Sequence, residues 1–462
     1  MKILKFLQFY GLTTLLSFGL TTLFHVSAQE VWTLEQCIRY AFDNNIQLKQ
    51  MQLNVDRAEN DLLQSKLNLL PSVNASGSFN SSKGKVLDQN TFTVVDGATV
   101  NSLTANIGGS VTLFKGLQQK NTIDRNQFSL FESIQNVEKL RNDLSINIAL
   151  NYLQIIHAQE QLAVAENQLE LTTLQIELTT ALVEAGSKPE GDLFEIQSQA
   201  AREELDIVTA RNTLEIARLN LAQLLDLETS TNFQVAVPDF SNIGISEVSE
   251  SVDDVFVTAE SILPQIKAAE YSLKSIEKQL SIAKGYRSPT LNFSVGSGSR
   301  YSSSASPRAM KDGSGNTYYV DFPLKDQLDA NINSYIGVNL SIPIFNGWQV
   351  QTGIKNARLN VQNYQYQLQL AKNTLYKEIQ QAHADATAAL KRYLAATKAV
   401  ASMKEAFRYT EQRYEVGLMN FVDYSTAKTR FTIAQSELLQ AKFDYIFKTK
   451  VLDFYNGRPI TL

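Results

Sequence analysis

The sequence predicts a mainly helical chain that also carries a few bilayer-crossing β-strands, the whole built as a tandem duplication. Three observations predict it. Proline is missing between Pro71 and Pro189 and again between Pro343 and Pro459, and residues 117–185 lack glycine as well. Four short segments alternate strictly between apolar and small polar residues. Finally, landmarks of the first half recur in the second, Phe114, Gly186 and Asp192 at Phe345, Gly417 and Asp423, and Pro71 at Pro289 before an insertion in the second half.

The chain opens with a leader. Lys2 and Lys5 precede an apolar run around Leu12, Leu15, Leu16, Phe18, Leu20, Leu23 and Phe24, and Val26-Ser27-Ala28 closes it with small residues. Residues 1–28 therefore read as a secretory signal peptide. No later stretch offers about 18 uninterrupted apolar residues, so a membrane span, if present, must be a β-barrel. The remaining composition, 44% hydrophobic and 19% charged, is that of a folded chain. One cysteine, Cys37, excludes a disulfide framework. The net charge of −5 speaks against a nucleic-acid partner.

Two repeats follow, 29–228 and 251–462, separated by a polar linker at 229–250 that holds Pro238. Strands are expected at about 71–83, 102–114, 289–300 and 334–345. In the first, Val73, Ala75, Gly77 and Phe79 alternate with Ser72, Asn74, Ser76, Ser78 and Asn80; in the last, Ile336, Val338, Leu340, Ile342 and Ile344 alternate with Gly337, Asn339, Ser341 and Pro343. Period-two alternation marks strands with one apolar face. The other face is almost free of charge, unlike the Lys- and Glu-bearing outside of a soluble sandwich, and lengths near ten residues suit a tilted bilayer crossing. Polar loops are expected at about 84–101 and 300–333. Four strands cannot close around a lumen, since about eight is the smallest workable barrel. Copies of the chain must therefore share one, two copies making eight strands and three making twelve.

Long helices are expected at about 116–185, 190–228, 347–416 and 420–456. Interior proline costs about 3 kcal/mol and glycine about 1, so the gaps free of both favour uninterrupted rods. Ile148, Ile155, Leu162, Leu169, Ile176 and Val183 recur every seven residues, with Ile379, Ala386, Tyr393, Val400, Phe407 and Tyr414 as their counterparts. Ala158, Ala165, Thr172 and Thr179 fall between them, a seam that brings helices close. Strand-to-helix junctions fall at Phe114-Lys115-Gly116 and Phe345-Asn346-Gly347, and helix-turn tips at Gly186 and Gly417.

These residues resemble the TolC-type outer-membrane efflux family across the mature chain. The resemblance rests on Trp32-Thr33-Leu34-Glu35-Gln36-Cys37 opening the first helix, the strand starts at Pro71 and Pro289, the two Phe-x-Gly junctions, and Tyr414-Glu415-Val416-Gly417 followed by Asp423. It implies a homotrimer with a shared 12-stranded barrel and an α-barrel tunnel in the periplasm. It also implies a periplasmic adaptor and an inner-membrane pump as partners, outer-membrane lipid around the strands, and a passive exit duct of a tripartite efflux or type I secretion system. Carried over by position, Asp192 and Tyr414 are the pair that ties the helical hairpins together, and Asp423 is an acidic ring. Thr426 replaces a second aspartate of the family pattern and Met419 a tip-locking arginine, with Glu195 as replacement charge on the face of Asp192.

No catalytic constellation is visible. His157 and His383 do not occupy matching repeat positions, Gly296-Ser297-Gly298 lacks the rest of a dinucleotide fingerprint, and no nucleophile has a base in register. Catalytic, cofactor-binding and metal residues are therefore all expected to be none. The competing reading is a periplasmic coiled-coil scaffold or adaptor without a membrane span.

Overall fold

The computed structural model describes residues 31–87, 92–227, 233–238 and 250–461. The expected leader lies outside the described residues, as does most of the expected linker. The first repeat runs β1 (Val31–Trp32), α1 (Leu34–Asn44), α2 (Ile46–Leu67), β2 (Ser72–Leu87), β3 (Val94–Lys115), α3 (Gln118–Glu184) and α4 (Glu190–Leu224). A short β4 (Gln234–Val235) pairs parallel with β1. The second repeat runs α5 (Val252–Ile262), α6 (Pro264–Gly285), β5 (Thr290–Ser302), β6 (Arg308–Lys311), β7 (Thr317–Val320), α7 (Leu324–Ala330), β8 (Asn333–Ser341), α8 (Gln349–Glu415) and α9 (Phe421–Tyr455).

The duplication is metrical. α1 and α5 have 11 residues each, α2 and α6 have 22, α3 and α8 have 67, and α4 and α9 have 35. At 1.5 Å per residue the longest helices reach about 100 Å. Local chemistry sets their ends. Thr33 and Gln36 form a reciprocal capping box at α1, each side chain bonding the other's backbone. Both long helices begin after consecutive left-handed residues, Gly116-Leu117 and Gly347-Trp348. At Gly116 a Cβ would lie 2.5 Å from the Gly285 carbonyl, so no side chain fits where the strand turns into the rod.

Packing follows the seven-residue seam. Leu48, Val55 and Leu62 of α2 meet Leu130 and Val137 of α3. The largest core gathers α1, β4 and the middle of α3, with Ile148, Ile155 and Tyr152 fully buried. There the Tyr152 hydroxyl lies 3.0 Å from the Trp32 carbonyl and 2.6 Å from that of Ala236, pinning the chain beyond β4 to the rods. Its second-repeat counterpart joins Val255, Ala259 and Ile266 to Leu375, Ile379 and Leu452.

The strands form one antiparallel sheet in the order β2-β3-β5-β8. Its limits differ from those expected. The β2–β3 hairpin continues pairing through most of the expected 84–101 loop, past an irregularity at Gly84, and is braced by a Lys85–Asp96 ion pair at 3.3 Å. The expected loop at 300–333 contains a separate β6–β7 hairpin and the helix α7. β8 stops at Ser341 rather than 345, because Pro343 has no N–H for a ladder, and Phe345 is 80% exposed beyond it.

Candidate functional site

The sheet has two unlike faces. On one, Val73, Phe79, Ile107, Val295, Ile336, Val338 and Leu340 all stand exposed. On the other, Asn74, Asn106, Thr112, Asn292 and Asn339 carry the strands' amides and hydroxyls, with Thr112 donating to Asn292 across β3 and β5 at 2.9 Å. β2 and β8 are edges with no partner strand among the described residues. A continuous exposed apolar face with open edges is unstable in water and matches the hydrocarbon layer of a membrane. None of the described helices is long and apolar enough to cross a membrane.

At the opposite end, the α3–α4 and α8–α9 hairpins close in matching turns. Gly186 and Gly417 take left-handed conformations, and Ser187 and Leu418 donate back to Leu182 and Arg413, at 2.8 and 2.9 Å. Tyr414, 3% exposed, packs with Ile196, Phe421 and Tyr424. Its ring stacks on Tyr424 with centroids 4.6 Å apart, and the Lys188 ammonium sits 3.9 Å above it. Phe407 and Phe431 extend the aromatic cluster up the α8–α9 interface.

The expected residues divide. Asp192 and Asp423 hold equivalent places in the first turns of α4 and α9, where a carboxylate suits the helix dipole. The Asp423 amide donates to the Asn420 side chain at 2.8 Å. Glu195 and Asp423 are exposed and Asp192 half-buried. No hydrogen bond joins Asp192 to Tyr414 among the described residues. The tyrosine turns inward onto the aromatic cluster instead, its hydroxyl buried without a partner, and across the hairpins it meets Ile196 and Lys188.

Sequence reasoning missed a second tie, about three turns above the tips. Glu203 of α4 and Lys428 of α9, 3% and 7% exposed, form an ion pair at 3.5 Å. Thr172 of α3 bonds both, and Gln168 and Gln199 donate to Glu203 at 3.3 and 3.0 Å. Burial pulls the Lys428 ammonium below its ordinary range against the pull of Glu203. Nearby, burial and then the Glu415 carboxylate raise the Glu411 carboxyl. The one legible signal was Thr172, where the small residues of the seam change from alanine to threonine. Above the pair a cleft of about 490 Å³ opens between α3, α4 and α9, lined by His157, Asp206 and Glu437 among others.

Residues 37–226 and 258–452 match the family described as outer membrane efflux protein. The chain belongs to that family. As an outer membrane efflux protein it resides in the Gram-negative outer membrane and serves there as an efflux channel. It is 24% identical to the outer membrane protein TolC of Vibrio cholerae over 418 residues, 90% of this chain and 89% of that one. The fold is shared with VceC of Vibrio cholerae, at a TM-score of 0.72 and 17% identity, covering 92% of this chain and 96% of that one. It is shared equally with MtrE of Neisseria gonorrhoeae, solved in an open state, at a TM-score of 0.73 and 19% identity, covering 93% and 89%.

Proposed function

We propose that three copies of the chain join through β2 and β8 into one 12-stranded barrel, continued by α3, α4, α8 and α9 as a periplasmic tunnel. The observation that carries this is the sheet itself. It pairs an exposed apolar face with a polar one that carries charge only near its ends, at Lys115 and Arg300, and leaves both edges open. An open edge in hydrocarbon leaves backbone groups unsatisfied, so the edges must meet those of other copies. The helices add support, because Phe194, Leu205 and Ile216 place exposed apolar side chains at 11-residue intervals along α4. Three turns separate each from the next, so they form a straight stripe suited to a neighbouring rod.

In this reading the channel is a passive exit duct. An inner-membrane pump supplies the energy and a periplasmic adaptor docks on the helices, as the family resemblance implies. The tips are the gate. The Lys188–Tyr414 contact and the packing of Ile176 and Ile196 on the aromatic cluster latch the two hairpins at their ends, the Glu203–Lys428 pair latches them higher up, and Asp192, Glu195 and Asp423 lend the opening negative charge. The scaffold alternative leaves the apolar face of the sheet without a partner.

The test is direct. Purified in detergent, the protein should have the mass of three mature chains and conduct ions in planar bilayers. A monomer released by osmotic shock without detergent would overturn the reading.

A further inference from the structure

On the polar face of the sheet, two glycines stand side by side, Gly108 of β3 opposite Gly296 of β5, and Tyr335 of β8 is opposite Gly296 in turn. Among the polar-face residues of this row only Tyr335 has a large side chain, and its ring reaches across the sheet over both glycines. A Cβ at Gly296 would lie 2.7 Å from Cε1 and 2.8 Å from Cζ of Tyr335. A Cβ at Gly108 would lie 3.8 Å from the tyrosine hydroxyl, an ordinary contact. The tyrosine is 60% exposed, so its outer surface faces open space.

We infer that Tyr335 sets the bore of the barrel and that Gly296 holds it down. A ring lying flat stands off the wall by one van der Waals contact, about 3.5–4 Å. A ring lifted on edge reaches much further toward the axis. The contact at Gly296 is below any normal Cβ distance, and the atoms it meets are the far end of a side chain free to swing. A ring so displaced rises away from the wall, because the strands close the side behind it. In a three-copy barrel the choice is made three times at one level, so a single methyl group per chain narrows the duct. Beside this row the polar face carries Ser, Asn and Gly, with the charged Arg300 four residues along β5 toward the loops, which leaves the rings as the feature that discriminates cargo by width at this level.

The inference rests on the barrel proposed above, and one experiment separates the two. Asn339→Cys and Val338→Cys are neighbours on β8, the first on the polar face four residues nearer the helices than Tyr335, the second on the apolar face. The chain's own thiol, Cys37, is fully buried, and burial pushes it up to about 12, so it stays silent. Water-soluble maleimides of small and large size are added from outside intact cells. In the barrel, Asn339→Cys reacts and Val338→Cys does not; the reverse pattern would overturn the barrel orientation itself. With the orientation holding, adding Gly296→Ala should abolish labelling by the large reagent and spare the small one. Gly108→Ala should change neither, and Gly296→Ala with Tyr335→Ala should restore the large reagent. Tyr335→Ala alone should speed its entry, which keeps the test decisive if Gly296→Ala does not assemble. Large-reagent labelling unchanged by both Gly296→Ala and Tyr335→Ala would sink the inference and leave the barrel standing.

Discussion

Single side chains decide how the two hairpins are held. Glu203 and Lys428 are nearly sealed from solvent, so each depends on the other and on Thr172 for compensation. Replacing Lys428 alone by alanine strands a buried carboxylate and should cost about 3–5 kcal/mol in chemical denaturation of the detergent-solubilised protein. Lys428→Met combined with Glu203→Gln should recover most of that loss. Tyr414→Ala with Lys188→Ala removes the tip contact while leaving the ion pair, and should raise single-channel conductance; unchanged conductance would remove this contact from the gate. The sequence hid the ion pair because charged residues on long helices usually face water. Only the three-dimensional meeting of α3, α4 and α9 turns those two inward.

Elements were more legible than their contacts. Helix ends followed from glycine and proline, whose effects are local, so α3 and α8 lie within two residues of the limits expected at 116–185 and 347–416. Strand ends were less legible, because pairing depends on a partner distant in sequence: β2 and β3 keep each other extended through polar residues that read alone as loop. α8 and α9 are held together partly by surface charge. Lys448 bonds Asp385 at 2.9 Å and, with Gln381, keeps that carboxyl below its ordinary 3.8. A lowered carboxyl supports the fold fully above its unfolded value and ceases to as the pH falls through the lowered one. Proteolysis between α8 and α9 should therefore accelerate below about pH 3.8, and Asp385→Asn should flatten that dependence. Among the described residues the β6–β7 hairpin pairs only with itself. Replacing 308–320 by a short polar linker should leave outer-membrane assembly, read by heat-dependent gel migration, unchanged.

The whole molecule is governed by equal lengths. In each repeat, helices of 11, 22, 67 and 35 residues follow one another, and this identity persists although most paired positions hold different residues. The second repeat nonetheless holds extra residues, and its extra elements, β6, β7 and α7, all lie between β5 and β8. Losing one residue from α3 would swing every later side chain by about 100°, turning the buried row out of its seam. It would also leave one tip short of its three-dimensional counterpart on α8. Length change in the rods is therefore tolerated only in whole seven-residue steps made in both repeats together, whereas the outward-facing loops can lengthen one residue at a time. Descendants of such a duct are expected to diversify at the mouth and keep a common gauge along the shaft.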